Sequence, residues 1–151
     1  SNNQNSKPTK EENQVGIIKG DDFRSKAMMK FTDAYVNNDL NSVSDLFTDD
    51  AKIMVNDADL TFSEMAAGFS SGHNYFDNIR HEDRDAFTMH YTEGDIAGNI
   101  FTHYWYTWKA TSKKTEEEIS IRGYSWMKWR GDKVEAVYNA FDPTIYNAQI
   151  E

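Results

Sequence analysis

The pentapeptide His81-Glu82-Asp83-Arg84-Asp85 comes within one side chain of a helical zinc site. In H-E-x-x-H, two imidazoles four residues apart on one helix face hold the metal, and the glutamate activates water. Asp85 stands where the second imidazole belongs, and one imidazole with one carboxylate does not retain zinc unaided. The pentapeptide therefore reads as a solvated helix end or loop, and no metal is expected. His73, between Gly72 and Asn74, reads as a loop residue. The chain has no cysteine, which removes thiolate catalysis, disulfides and zinc–thiolate sites.

A second pattern points to binding. "NIFTHYWYTWKAT", residues 99–111, is an aromatic strand in which side chains alternate between two faces. Thr102, Tyr104, Tyr106 and Trp108 share one face; Phe101, His103, Trp105 and Thr107 share the other. Neither face is polar, so both need cover. Tyr35, Tyr75, Phe76, Tyr104, Tyr106, Trp108 and Phe141 could line an apolar pocket for a ring-shaped ligand, or simply fill the core. Buried tyrosine hydroxyls need partners, so several together favour a partly wet cavity.

The elements that would position these residues follow from period and capping. "GDDFRSKAMMKFTDAYVNND" predicts a helix capped by Asp21 or Asp22, with Phe23, Ala27, Phe31, Ala34 and Tyr35 inward and Met28 beside them. Asn38 or Asp39 caps a short second helix through Leu40, Val43, Leu46 and Phe47. "AKIMVN" is a short strand, ended by the turn Asn56-Asp57. A third helix is expected from Leu60 to Asp85, opened by a Thr61/Glu64 capping box, with Met65, Phe69, Phe76 and Ile79 as its stripe; Gly68 and Gly72 weaken it. Four strand-like runs come next, starting near Ala86, Asn99, Glu116 and Lys133.

Length and charge bound the partners. The chain has 151 residues, enough for one domain with a real core. Its net charge is −9, which disfavours nucleic acid and anionic membrane surfaces. Residues 1–20 read as a disordered tail or linker and 21–151 as the domain; up to Gln14 the tail holds no apolar residue but Pro8. A polar tether and a start without Met favour an extracytoplasmic location, periplasmic or lipid-anchored after signal removal, over a cytoplasmic one.

The element order and two strings, "AYVNNDLNSVSDLFTDDAKIMV" and "WMKWRGDKVEAVYNAFDP", resemble the nuclear transport factor 2-like superfamily, which includes ketosteroid isomerases, scytalone dehydratases and SnoaL-like cyclases. The resemblance spans about residues 21–145. It implies an α+β fold: a curved antiparallel sheet wrapped around N-terminal helices, a cystatin-like cone in the order α-α-β-α-β-β-β-β. It also implies a pocket on the concave face and a homodimer through the convex one. In the family's register Tyr104, Tyr106 and Trp108 point inward with Phe31, Ser125, Met127 and Asn139. Phe101, His103, Trp105, Arg122, Tyr124 and Trp126 then form the dimer face.

The resemblance also bears on chemistry. The isomerase's helix-one tyrosine, strand-one base and penultimate-strand acid fall at Phe31, Val55 and Ser125, so that activity is not expected. SnoaL-like cyclases end the last strand at an acidic residue, here Asp142, and His90 is placed to pair with it across the pocket as acid and base. Two expectations stay open. One is a cofactor-free isomerase, dehydratase or cyclase acting on a small apolar ring compound. The other is a non-catalytic binding or dimerisation module.

Overall fold

The computed structural model describes residues 14–151. Asp22 starts the first helix: its Oδ1 accepts the Arg24 backbone N–H at 2.9 Å and caps α1 (Phe23–Val36). The buried face of α1 is Ser25, Met28, Phe31, Thr32 and Ala34. Phe23, expected inward, is 54% exposed and meets Trp129 edge-on. The stripe is rotated towards two hydroxyls because both are satisfied inside. Ser25 Oγ lies 2.8 Å from Thr88 Oγ1, and Thr32 Oγ1 donates to the Met29 carbonyl. A bonded hydroxyl is tolerated in a core, and apolar periodicity cannot register it.

Leu40–Leu46 form a 3-10 segment, tighter than the short helix expected. Strand β2 (Phe47–Val55) turns at Asn56, whose φ of 50° is left-handed, into β3 (Ala58–Leu60). Helix α2 (Phe62–Gly72) carries the full capping box. Thr61 Oγ1 accepts from Glu64 N at 3.1 Å, and Glu64 Oε1 accepts from Thr61 N at 3.0 Å.

Helix α2 stops at Gly72, thirteen residues short of the expectation. Phe76 and Ile79, expected on its stripe, open strand β4 (Phe76–Glu93), so His81–Asp85 is strand rather than helix end or loop. Two bulges explain why this strand carries no alternation: the register with β5 slips between Asp77 and Arg80 and again between Glu82 and Asp85. Asn78 and Asp83 sit at these slips with φ of 54° and 51°, a conformation their short polar side chains tolerate. A bulge re-aims the side chains beyond it. After the second one Arg84, not Asp83, shares the inner face with His81.

Strands β5 (Ile100–Ser112), β6 (Glu118–Arg130) and β7 (Lys133–Phe141) complete the meander, and α3 (Thr144–Ile150) closes the chain. Val15–Lys19, expected within the tail, form β1 antiparallel to β4; residues 1–13 of that tail lie outside the described residues. The sheet runs β1-β4-β5-β6-β7-β2-β3 and is open and curved around the helices. It is antiparallel except where β2 joins β7 in parallel, Val55 opposite Asn139. Among the described residues no helix is long and apolar enough to cross a membrane.

Candidate functional site

The concave face of the sheet and the helices enclose a cavity of about 250 Å³. Its floor is β5, β6 and β7, with Tyr104, Tyr106, Trp108, Ile121, Ser125, Val137, Asn139 and Phe141. Phe31, Thr32 and Tyr35 of α1, and Met65, Gly68 and Phe69 of α2, form one wall. Ile53, Val55 and Leu60 of β2 and β3, with Tyr146 of α3, form the other, and His81 of β4 completes the lining. Among the described residues the lining contains no charged side chain.

Polar atoms within this apolar shell are tied in three groups. Tyr106 lies flat over Gly123, its partner across the β5–β6 ladder, and its hydroxyl donates to Asn139 Oδ1 at 2.7 Å. A Cβ on residue 123 would collide with the Tyr106 ring, so glycine is what admits this ring. Trp108 Nε1 donates to the Tyr35 hydroxyl at 2.8 Å. His81 stacks on Tyr106, centroids 4.3 Å apart and planes 3° from parallel, and its Nδ1 lies 2.9 Å from the Tyr104 hydroxyl.

Arg84 stands behind the third group. Its Nε donates to the Tyr104 oxygen at 2.9 Å. One terminal nitrogen reaches Asp33 Oδ1 at 2.8 Å; the other donates to the Met29 carbonyl and to Thr32 Oγ1. Burial, reinforced by the positive charge of Arg84, pushes the His81 imidazole down to about 3, so the ring is neutral near pH 7. Burial pushes Tyr35 and Tyr106 well above the ordinary phenol range, so their hydroxyls stay protonated. Among the described residues the site therefore offers neutral hydrogen-bonding groups and no carboxylate base.

Of the residues assigned to the pocket from sequence, Phe31, Tyr35, Tyr104, Tyr106, Trp108, Ser125, Asn139 and Phe141 line the cavity. Phe76 is buried behind Trp108, edge-on at 5.0 Å, and Met127 is buried in the core away from the cavity; Tyr75 is on the surface. Phe101, His103, Trp105, Arg122, Tyr124 and Trp126 lie on the opposite, convex face, paired as Trp105–Tyr124, His103–Trp126 and Thr107–Arg122.

Asp142 and His90 are not brought together, and neither lines the cavity. Asp142 is exposed and its Oδ1 accepts the Thr144 N–H at 3.0 Å, an Asx turn ahead of α3 that holds its carboxyl below the usual range. His90 Nε2 lies 2.7 Å from Asp22 Oδ2 at the start of α1. Burial would raise the Asp22 carboxyl, but the Arg24 N–H, the His90 ring and the Arg24 charge outweigh it and hold it low. This cluster staples α1 to β4. His81, which lines the cavity, and Arg84, which stands behind it, are not placed at the site by sequence reasoning; both sit inside the pentapeptide that reads as a helix end or loop. Asn and Asp at the two bulges are the signal available for a strand there.

No protein-family model matches the sequence, and no curated protein matches it. Solved structures do. AclR from Streptomyces galilaeus, a candidate hydroxylase, is 15% identical with a TM-score of 0.60, over 85% of this chain and 96% of that one. A candidate polyketide cyclase from Xanthomonas campestris is 12% identical at TM-score 0.58, over 85% and 98%. TerC, co-crystallised with polyporic acid, is 10% identical at TM-score 0.61, over 83% and 95%. Identities this low speak for architecture rather than reaction. The chain has the nuclear transport factor 2-like cone fold, shared with polyketide-cyclase-type and ketosteroid-isomerase-like proteins.

Proposed function

We propose that this chain binds a small, neutral, apolar ring compound inside the cone. The observation that carries the reading is the cavity itself: about 250 Å³, apolar walls, no charged lining residue and a few tethered polar groups. Binding has more support than carboxylate-driven proton transfer, because Asp142 and His90 lie elsewhere and the lining holds no acid. An NMR titration with fluorene tests it. The Trp108 indole resonance is expected to shift, and Ile121→Trp, which fills the cavity, to abolish the shift in a folded protein. An unmoved indole up to the solubility limit of fluorene would overturn the reading.

The convex face supports a second proposal, that two copies pair through it. Trp105 is 50% exposed and packs on Tyr124 at 4.4 Å; Phe101 meets Trp126, and His103 Nδ1 lies 2.5 Å from the Tyr124 hydroxyl. A contiguous aromatic patch of this kind marks a contact surface. Sedimentation equilibrium is expected to show a dimer that Trp105→Glu converts to monomer; a monomeric parent chain at micromolar concentration would refute it.

A further inference from the structure

We propose that His81 receives a carbonyl oxygen of the bound ring compound through Nε2–H, and that Arg84 and Tyr104 fix the imidazole in the tautomer that can do so. This rests on the pocket reading and narrows it to ketone- or quinone-type ligands.

Counting protons assigns the tautomer. Arginine only donates, so the Tyr104 oxygen accepts from Arg84 Nε. Tyr104 is fully buried, and its own proton must be placed. Thr32, the other hydroxyl beside it, spends its proton on the Met29 carbonyl and accepts from Arg84, which leaves its oxygen one lone pair, so the tyrosine proton has two candidate acceptors, Thr32 Oγ1 and His81 Nδ1. If His81 Nδ1 also donated to Tyr104, the tyrosine would take two protons and its own would be left to Thr32 Oγ1, which Arg84 already holds at 2.6 Å, whereas Nδ1 stands 2.9 Å from the tyrosine oxygen in hydrogen-bonding geometry. The network closes when Tyr104 donates to Nδ1, which puts the imidazole proton on Nε2. Nε2 has no partner among the described residues, and His81 lines the cavity.

The rest of the lining points the same way. Asn139 uses its Oδ1 for Tyr106, leaving its amide N–H groups unmatched, and Tyr35 accepts from Trp108, leaving its own proton unmatched. The Ser125 proton is committed to the Tyr138 carbonyl. The cavity thus presents spare protons and no carboxylate. A neutral ligand oxygen without a proton of its own matches that surface, whereas an ammonium finds no counter-charge. The groups facing His81 are Arg84, Tyr104, Tyr106 and Tyr35, with Asp33 beyond Arg84. The guanidinium is the one charge close to the ring, and it opposes a second positive charge. Burial and this charge keep the ring neutral, so it enters as a hydrogen-bond donor rather than an acid.

Fluorene and 9-fluorenone test this, because they differ in one carbonyl. Fluorenone is expected to bind about tenfold tighter to the parent chain, the effect of one buried hydrogen bond. His81→Phe is expected to erase the preference while fluorene still binds. Tyr104→Phe, which frees the tautomer, is expected to reduce the preference to about threefold, read as the ratio of the two affinities so that any loss common to both probes cancels. Long-range 1H–15N spectra at neutral pH are expected to show His81 Nε2 protonated and Nδ1 bare. Equal affinity for the two probes, a preference that survives His81→Phe, or a protonated Nδ1 would each overturn the proposal while leaving the pocket reading intact. Failure of both probes to bind would overturn the two together.

Discussion

Along the inner face of β5, Thr102 and Trp108 mark two ends of the interior that treat polar groups in opposite ways. At the Thr102 end the hydroxyls form a closed chain. Trp129 Nε1 donates to Thr102, Thr102 and Thr88 lie 2.9 Å apart, Thr88 and Ser25 lie 2.8 Å apart, and Ser25 ends the chain on the Lys19 carbonyl of β1. Every proton has an acceptor and no room is left: Thr88 and Thr102 are fully buried. At the Trp108 end the groups are also bonded, but Asn139, Tyr35 and His81 each keep an unmatched proton beside an open volume. A satisfied network seals; a network with protons to spare receives.

The sharpest way to break this contrast is pH. The His81 imidazole sits at about 3 in the folded chain against an ordinary 6.5. Between those values the unfolded chain takes up a proton that the folded chain refuses, so stability falls as pH is lowered from about 6.5 towards 3. The expected loss attributable to His81 is up to about 4 kcal/mol at pH 3, reduced from the full shift by partial water access. Chemical denaturation across that range should show the parent chain losing this much more than His81→Phe; parallel curves would contradict the burial argument.

Gly123→Ala comes next. The added methyl displaces the Tyr106 ring, at a cost of about 3 kcal/mol by chemical denaturation, and fluorene binding should weaken with it. Thr88→Val interrupts the sealed chain at its centre and orphans groups on both sides, an expected loss of about 2 kcal/mol. Its effect should be on stability alone: fluorene affinity unchanged within error. Weakened binding in Thr88→Val would mean that the two ends are mechanically one. Thr61→Ala removes the cap of α2, which walls the cavity, at about 1 kcal/mol, readable as a small drop in melting temperature.

Part of the fold is legible in the order of residues alone. The α+β class and the meander follow from strand runs and turn residues, and Thr61 and Glu64 mark the start of α2 by their spacing. These are local signals, settled within one turn of helix or one hairpin. The rotation of α1 is not legible, because Ser25 and Thr32 also meet partners 63 and 52 residues away, Thr88 and Arg84, which no local pattern announces. Strand β1 escapes for a similar reason: all five of its residues are exposed, and backbone pairing with β4 holds it.

The site divides along the same line. Alternation in β5 sets Tyr104, Tyr106 and Trp108 on one face of the strand, a property of the pleat that needs no neighbour. His81 and Arg84 are hidden by two bulges, which erase the period that sequence reading depends on and re-aim Arg84 to the inner face. Asp142 and His90 look alike in sequence as proton carriers, yet each is spent on a helix start, one by an Asx turn and one by Asp22. Sequence determined which residue types could meet a ring-shaped ligand, since composition and period are local. Only the tertiary structure decided which polar atoms keep a proton to offer, because that depends on every partner the fold brings within hydrogen-bonding reach.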